Sequence, residues 1–125
     1  MAKKKILIID DERDVREVIM IHLAQAGYQF LEAGNGEEAI HILQEGDNRG
    51  RVGLILCDIR MPKVNGLNCI DFILKEAPAT PVVVITAAPD EDLSEYLIGK
   101  GVKDYLVKPV SKSKLIETVN RFIAP

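Results

Sequence analysis

Lys5-Ile6-Leu7-Ile8-Ile9-Asp10-Asp11 runs from a lysine through four aliphatic residues into a pair of acids. An unbroken apolar run of this length, rich in branched side chains, reads as a strand buried on both faces. The same pattern returns along the chain. Val52 to Cys57 ends at Asp58, Pro81 to Ile85 ends at Thr86, and Tyr105 to Val107 ends at Lys108-Pro109. Tyr28 to Ala33 supplies one more strand, the second in order, with no such group at its end.

Helical spacing fills the gaps between these runs. From Glu12 to Ala26, Val15, Val18, Ile19 and Leu23 recur at helical intervals, and Gly27 stands where a C-terminal glycine cap belongs. Gly36 to Gln44 faces inward through Ala39, Ile40 and Leu43. Asn65 to Ala77 does so through Leu67, Ile70 and Leu74. Asp90 to Gly99 is a short helix. Lys112 to Ile123 carries a stripe of Leu115, Ile116, Val119, Phe122 and Ile123. The polar segment Glu45 to Arg51 is read as a surface loop without chemistry. Five strands alternating with five helices predict an α/β fold, a parallel sheet covered on both faces.

The 125 residues fit one domain spanning 1–125, and 47% of them are hydrophobic, enough for a core. No repeat, linker or low-complexity stretch interrupts the chain, and no apolar run approaches the roughly 20 residues of a membrane span. The lysines at 3 to 5 precede an apolar run too short for a signal peptide, and acids follow it. A cytoplasmic protein is therefore expected. A net charge of −3 argues against direct nucleic-acid binding across the whole surface. Cys57 and Cys69 lack metal-ligand spacing and read as reduced structural thiols, with a disulfide as the lesser alternative. His22 and His41 fall on helices away from the strand ends and read as surface or boundary residues.

In an open parallel sheet, ligands bind beyond the carboxyl ends of the strands. If strands one, three, four and five are neighbours, Asp10, Asp11, Asp58, Thr86 and Lys108 converge there. At about 4 Å and an effective dielectric of about 20, one like-charge pair costs on the order of 4 kcal/mol before screening. A cation must offset that repulsion. Hard oxygen donors suit Mg²⁺, which keeps several waters and binds one or two carboxylates together with a phosphate. Lys108 and Thr86 add a charge and a hydroxyl suited to phosphoryl oxygens. The set describes phosphoryl transfer to an aspartate, Asp58. Taken singly, each member has a plainer reading. Asp10-Asp11 is a helix cap, Asp58 a turn residue, Thr86 a strand-end hydroxyl and Lys108 a loop lysine. Those readings leave the joint pattern unexplained.

Four motifs in this order make a specific signature: Ile8-Ile9-Asp10-Asp11-Glu12, then Leu56-Cys57-Asp58-Ile59-Arg60-Met61-Pro62 with Gly66, then Val84-Ile85-Thr86-Ala87, then Gly101 to Pro109. The whole chain resembles the receiver domain of two-component response regulators. That resemblance implies a flavodoxin-like (βα)5 three-layer sandwich, as in chemotaxis regulators, with strand order 2-1-3-4-5. It implies that Asp58 accepts a phosphoryl group from a histidine kinase or histidine phosphotransfer protein. Asp11, Asp58 and the backbone carbonyl of Arg60 would bind Mg²⁺, with Asp10 reaching it through water. Lys108 would bridge to the phosphoryl group, and its bond to Pro109 would be cis. Thr86 and then Tyr105 would turn inward, passing the signal to the face of the 90–99 helix, the fifth strand and the last helix. The recipient would be a downstream protein or an effector domain outside this chain.

By the same resemblance, Arg60 and Ala88 tune the lifetime of the phosphoryl group. Ala87 leaves access to Asp58 open. Lys100 stands where the family often has a small residue and reads as solvated, the alternative being a basic rim with Lys103 and Lys108. Such a chain is a phosphoacceptor and not a turnover enzyme. Two rivals remain: a small hydrolase with an aspartyl-phosphate intermediate, which commonly carries a second acid where Arg60 stands, and a receiver-like module that is never phosphorylated.

Overall fold

The computed structural model describes residues 4–59, 66–87 and 91–124, and of 66–69 the backbone. Every residue of β3 (Val52–Asp58) is buried, as the uninterrupted apolar run requires. It forms the middle of a parallel sheet with β1 (Lys5–Ile9), β2 (Phe30–Ala33), β4 (Val82–Thr86) and β5 (Asp104–Val107), in the order β2-β1-β3-β4-β5. Ile9 pairs with Cys57, Asp58 with Ile85, and Thr86 with Val107. The ends of β1, β3, β4 and β5 therefore lie side by side.

Side chains alternate across a strand, so the sheet divides its apolar residues between two cores. Leu7, Ile9, Ile55, Cys57, Val82 and Val84 pack on one face. There they meet Ala39 and Leu43 of α2 (Gly36–Gln44), Ile70 and Ile73 of α4 (Gly66–Glu76), and Leu97 of α5 (Glu91–Lys100). Ile6, Ile8, Leu54, Leu56, Val83, Ile85 and Leu106 take the other face. They pack on Ile19 and Leu23 of α1 (Arg13–Gln25) and Leu115 and Val119 of α6 (Lys112–Phe122). The fold is the three-layer, flavodoxin-like α/β sandwich implied by the resemblance.

Local chemistry sets the helix ends. Gly27 and Gly101 follow α1 and α5 with φ of 86° and 117°, a region open to glycine at little cost. Asn35 caps α2, its Oδ1 accepting from Glu38 N–H at 2.8 Å, while Glu38 Oε2 accepts from Gly34 N–H at 2.7 Å. Two details differ from the sequence reading. The segment 45–51 is not all loop: Asn48–Arg51 forms the one-turn helix α3, held by an Asp47–Arg51 ion pair. Val18 is half exposed, because Val15, Ile19 and Leu23, spaced by four, already form the stripe of α1 that meets the sheet.

Gly53 lets the C-terminal segment close over the start of β3. Ala124 N–H donates to its carbonyl at 2.9 Å. A Cβ at position 53 would stand 2.7 Å from Lys4 Cβ and 3.0 Å from the Ala124 carbonyl oxygen. Gly53→Ala is expected to cost about 1–3 kcal/mol through overpacking, measured as a lower urea midpoint. An unchanged midpoint would show that the C-terminal segment moves aside freely.

Candidate functional site

Asp58 is the last residue of β3 and is 3% exposed; Asp10, one residue beyond β1, is 1% exposed. Continuing the strand alternation, Asp10 follows Ile8, Asp58 follows Leu56 and Lys108 follows Leu106, all residues of the α1–α6 side. Thr86, buried at the end of β4, and Tyr105, half-buried in β5, take the opposite parity, with Val84. The strand alternation thus puts Asp10, Asp58 and Lys108 on one parity and Thr86 and Tyr105 on the other, with Thr86 at the strand end and Tyr105 level with Val84.

Lys108 is the hub. Its Nζ lies 2.8 Å from Asp10 Oδ2, 3.1 Å from Asp58 Oδ2 and 3.4 Å from Glu12 Oε1. Its N–H donates to the Thr86 carbonyl at 2.8 Å, and its bond to Pro109 is cis. Burial opposes the Lys108 charge, but hydrogen bonding and attraction, from Asp10 first and then Asp58, outweigh it. The net effect raises the pKa above the ordinary lysine value.

Carboxylate oxygens of Asp10, Asp11, Glu12 and Asp58 all lie within 4.8 Å of one another. Asp10 Oδ1 accepts from Glu12 N–H at 2.9 Å, whereas its buried Oδ2 makes no aligned hydrogen bond and has only the ion contact to Lys108. Four hard oxygen donors against one ammonium fit a small divalent cation. Glu12 is the member to which the sequence reading assigned no role. Its signal was a third consecutive acid, read only as part of a motif. Arg16 was missed as well; it donates to the Asp10 carbonyl at 2.7 Å.

A response regulator receiver domain is the family whose model matches residues 6–120. The chain belongs to that family. This receiver domain is 32% identical over 119 residues to the chemotaxis protein CheY of Thermotoga maritima, covering 94% of this chain and 96% of that one. It is 36% identical over 117 residues to the probable transcriptional regulator ycf27 of Porphyridium aerugineum, and over 119 residues to the response regulator protein PilR of Pseudomonas aeruginosa. It spans only 46% and 26% of those two proteins. Among solved structures, a response regulator receiver protein from Pseudomonas putida superposes with a TM-score of 0.88 at 32% identity, covering 97% of this chain and 98% of that one. Receiver domains are phosphorylation-dependent signalling switches of two-component systems.

Arg60 and Ala88 lie outside the described residues, and so does the side chain of Cys69. Cys57 is buried, and its thiol donates to the Asp58 carbonyl at 3.4 Å. His41 is exposed and His22 half-buried, and neither belongs to the acid cluster. Lys100 is exposed, as the sequence reading expected, and is paired on the surface. Neighbouring α4 brings Asp71 Oδ1 to 2.5 Å from its Nζ, which also stands 4.8 Å over the Tyr96 ring. The bond to Asp71 raises its pKa. Lys108 is turned into the acid cluster and leaves any rim. Among the described residues no helix is long and apolar enough to cross a membrane.

Proposed function

We propose that this receiver domain carries its phosphoryl group on Asp58 in a Mg²⁺-dependent reaction, drawing it from a histidine kinase or a histidine phosphotransfer protein. The observation that carries this reading is Lys108, with Nζ 3.1 Å from Asp58 Oδ2 and 2.8 Å from Asp10 Oδ2, set in a cluster of four carboxylates. Asp11, Asp58 and the carbonyl of Arg60 would hold the metal, with Asp10 reaching it through water; Glu12 belongs to the same carboxylate cluster. Bound Mg²⁺ supplies charge neutralisation for the incoming phosphoryl oxygens.

Asp58 attacks phosphorus with one carboxylate oxygen. The bond from phosphorus to the donor histidine breaks, and the imidazole nitrogen leaves with the bonding pair. Lys108 then pairs with the phosphoryl oxygens, and Thr86 donates its hydroxyl to them. The domain thus catalyses only its own phosphorylation and slow dephosphorylation. Arg60 and Ala88 set how long the phosphoryl group lasts.

Output runs through Thr86 and Tyr105 to the α5–β5–α6 face. That face already exposes apolar area at Tyr96, Ile98 and Val107. Tyr105 lines two surface cavities there, one with Val107 and Val110, the other with Glu95 and Ile98. Such exposed apolar surface suits a protein partner, either a separate downstream protein or an effector domain. Shifting a population from 1:99 to 99:1 takes about 5.5 kcal/mol of differential interaction, within reach of a few charge-assisted hydrogen bonds.

Nuclear magnetic resonance with the phosphoryl mimic beryllofluoride tests the reading. With Mg²⁺ present, resonances of Asp58, Thr86 and Tyr105 are expected to shift together, and without Mg²⁺ they are expected to stay. No response to the two reagents combined would mean that the domain is a receiver-like module without phosphoryl chemistry.

A further inference from the structure

A second cation stands behind the acid cluster. Arg16 lies at the start of α1, and its side chain is only 14% exposed. Its Nη1 donates to the Asp10 carbonyl at 2.7 Å, and its Nε donates to Glu32 Oε1 on β2 at 3.1 Å. A planar guanidinium serves both acceptors from one rigid fork, which a lysine ammonium cannot do.

Asp10 is where the chain leaves β1 for α1. Its N–H donates to the Ala33 carbonyl at 3.1 Å, and its Oδ1 accepts from Glu12 N–H at 2.9 Å. With its carbonyl held by Arg16, three of its polar groups are anchored to the frame. The fourth, Oδ2, is left for the cluster. Because the peptide unit is planar, holding the Asp10 carbonyl also orients the bond that leads into Asp11.

We propose that Arg16 is a positioning residue for the metal site: through the Asp10 carbonyl it sets the placement of the Asp10 and Asp11 carboxylates. This rests on the reading of the cluster as a Mg²⁺ site. The sign of the effect separates positioning from bare charge. A guanidinium near a divalent cation repels it, so a role through charge alone makes Mg²⁺ bind more tightly when Arg16 is removed. A positioning role makes it bind more weakly.

Calorimetric titration of the whole chain with Mg²⁺ decides between them. Arg16→Ala is expected to raise the dissociation constant about tenfold, the low end for loss of a residue that orients metal ligands. Arg16→Lys, which keeps one donor for the Asp10 carbonyl, should recover part of the loss. Glu32→Gln removes the charged partner on β2 and leaves the Asp10 contact, so its constant should stay near the parent's. Both contacts anchor α1, so a merely structural role would move Mg²⁺ binding of the Arg16 and Glu32 variants together. Equal or tighter binding by Arg16→Ala overturns the inference, and so does an equal loss in Glu32→Gln. If Arg16→Ala does not fold, Arg16→Lys measured against Glu32→Gln decides in the same way. A parent that binds no Mg²⁺ overturns the metal reading, and this inference with it.

Discussion

Asp58→Asn is expected to lose all Mg²⁺-dependent labelling by acetyl phosphate while keeping the fold. The amide matches the carboxylate in shape but has no anionic oxygen to attack phosphorus, so the step has no nucleophile. Its carbonyl oxygen can still accept from Lys108, which now donates to Asp58 Oδ2 at 3.1 Å. One of four clustered negative charges also disappears. Since one like-charge pair at about 4 Å costs on the order of 4 kcal/mol at a dielectric of about 20 before screening, relief of that repulsion should leave the metal-free variant at least as stable as the parent. Intact mass after incubation with acetyl phosphate reports the label, and urea unfolding reports the fold. Labelling equal to the parent's would place the phosphoryl group elsewhere and remove the proposed role of Asp58.

Lys108→Met should destabilise the metal-free domain by about 3 kcal/mol, the lower end for stranding buried charges. Asp10 and Asp58 would keep their burial and lose their common cation. The lower end applies because the cluster opens to solvent through Asp11 and Glu12, both exposed. Mg²⁺ should restore much of the loss, since a ligand that binds only the folded state stabilises it. High pH should shrink the difference from the parent. The folded pKa of Lys108 is raised above the unfolded value of 10.5. Its contribution to stability is therefore complete below pH 10.5 and is lost as pH rises from there through the folded value. Urea midpoints at neutral and alkaline pH, with and without Mg²⁺, measure all three effects. A variant as stable as the parent at neutral pH without Mg²⁺ would show that Lys108 does not balance the acids.

Most of the site was legible before any geometry. Asp10, Asp11, Asp58, Thr86 and Lys108 each end an apolar run, and strand ends are where a parallel sheet exposes polar groups. Glu12 and Arg16 were not legible. Both sit in the first turns of a helix, where an acid reads as a cap and an arginine as a solvated face. Nothing in their spacing reveals that Glu12 reaches Lys108 across 96 residues, or that Arg16 turns back to a strand-end carbonyl. Val18 failed for a related reason: helical periodicity places it near the apolar stripe without saying how wide a stripe the sheet covers.

The sequence by itself determined the five strands, every helix except α3, and the chemistry available at the strand ends, because period and composition are local properties of the chain. Tertiary structure sets the strand order β2-β1-β3-β4-β5, which the sequence carried only through the family resemblance. Nothing local carries that choice, since a strand's neighbours depend on how crossover helices pack on each face of the sheet. From it follow the 4.8 Å carboxylate cluster, the capture of Lys108 by Asp10 and Asp58, and the pairing of Lys100 with Asp71. Each of these joins residues far apart in the chain.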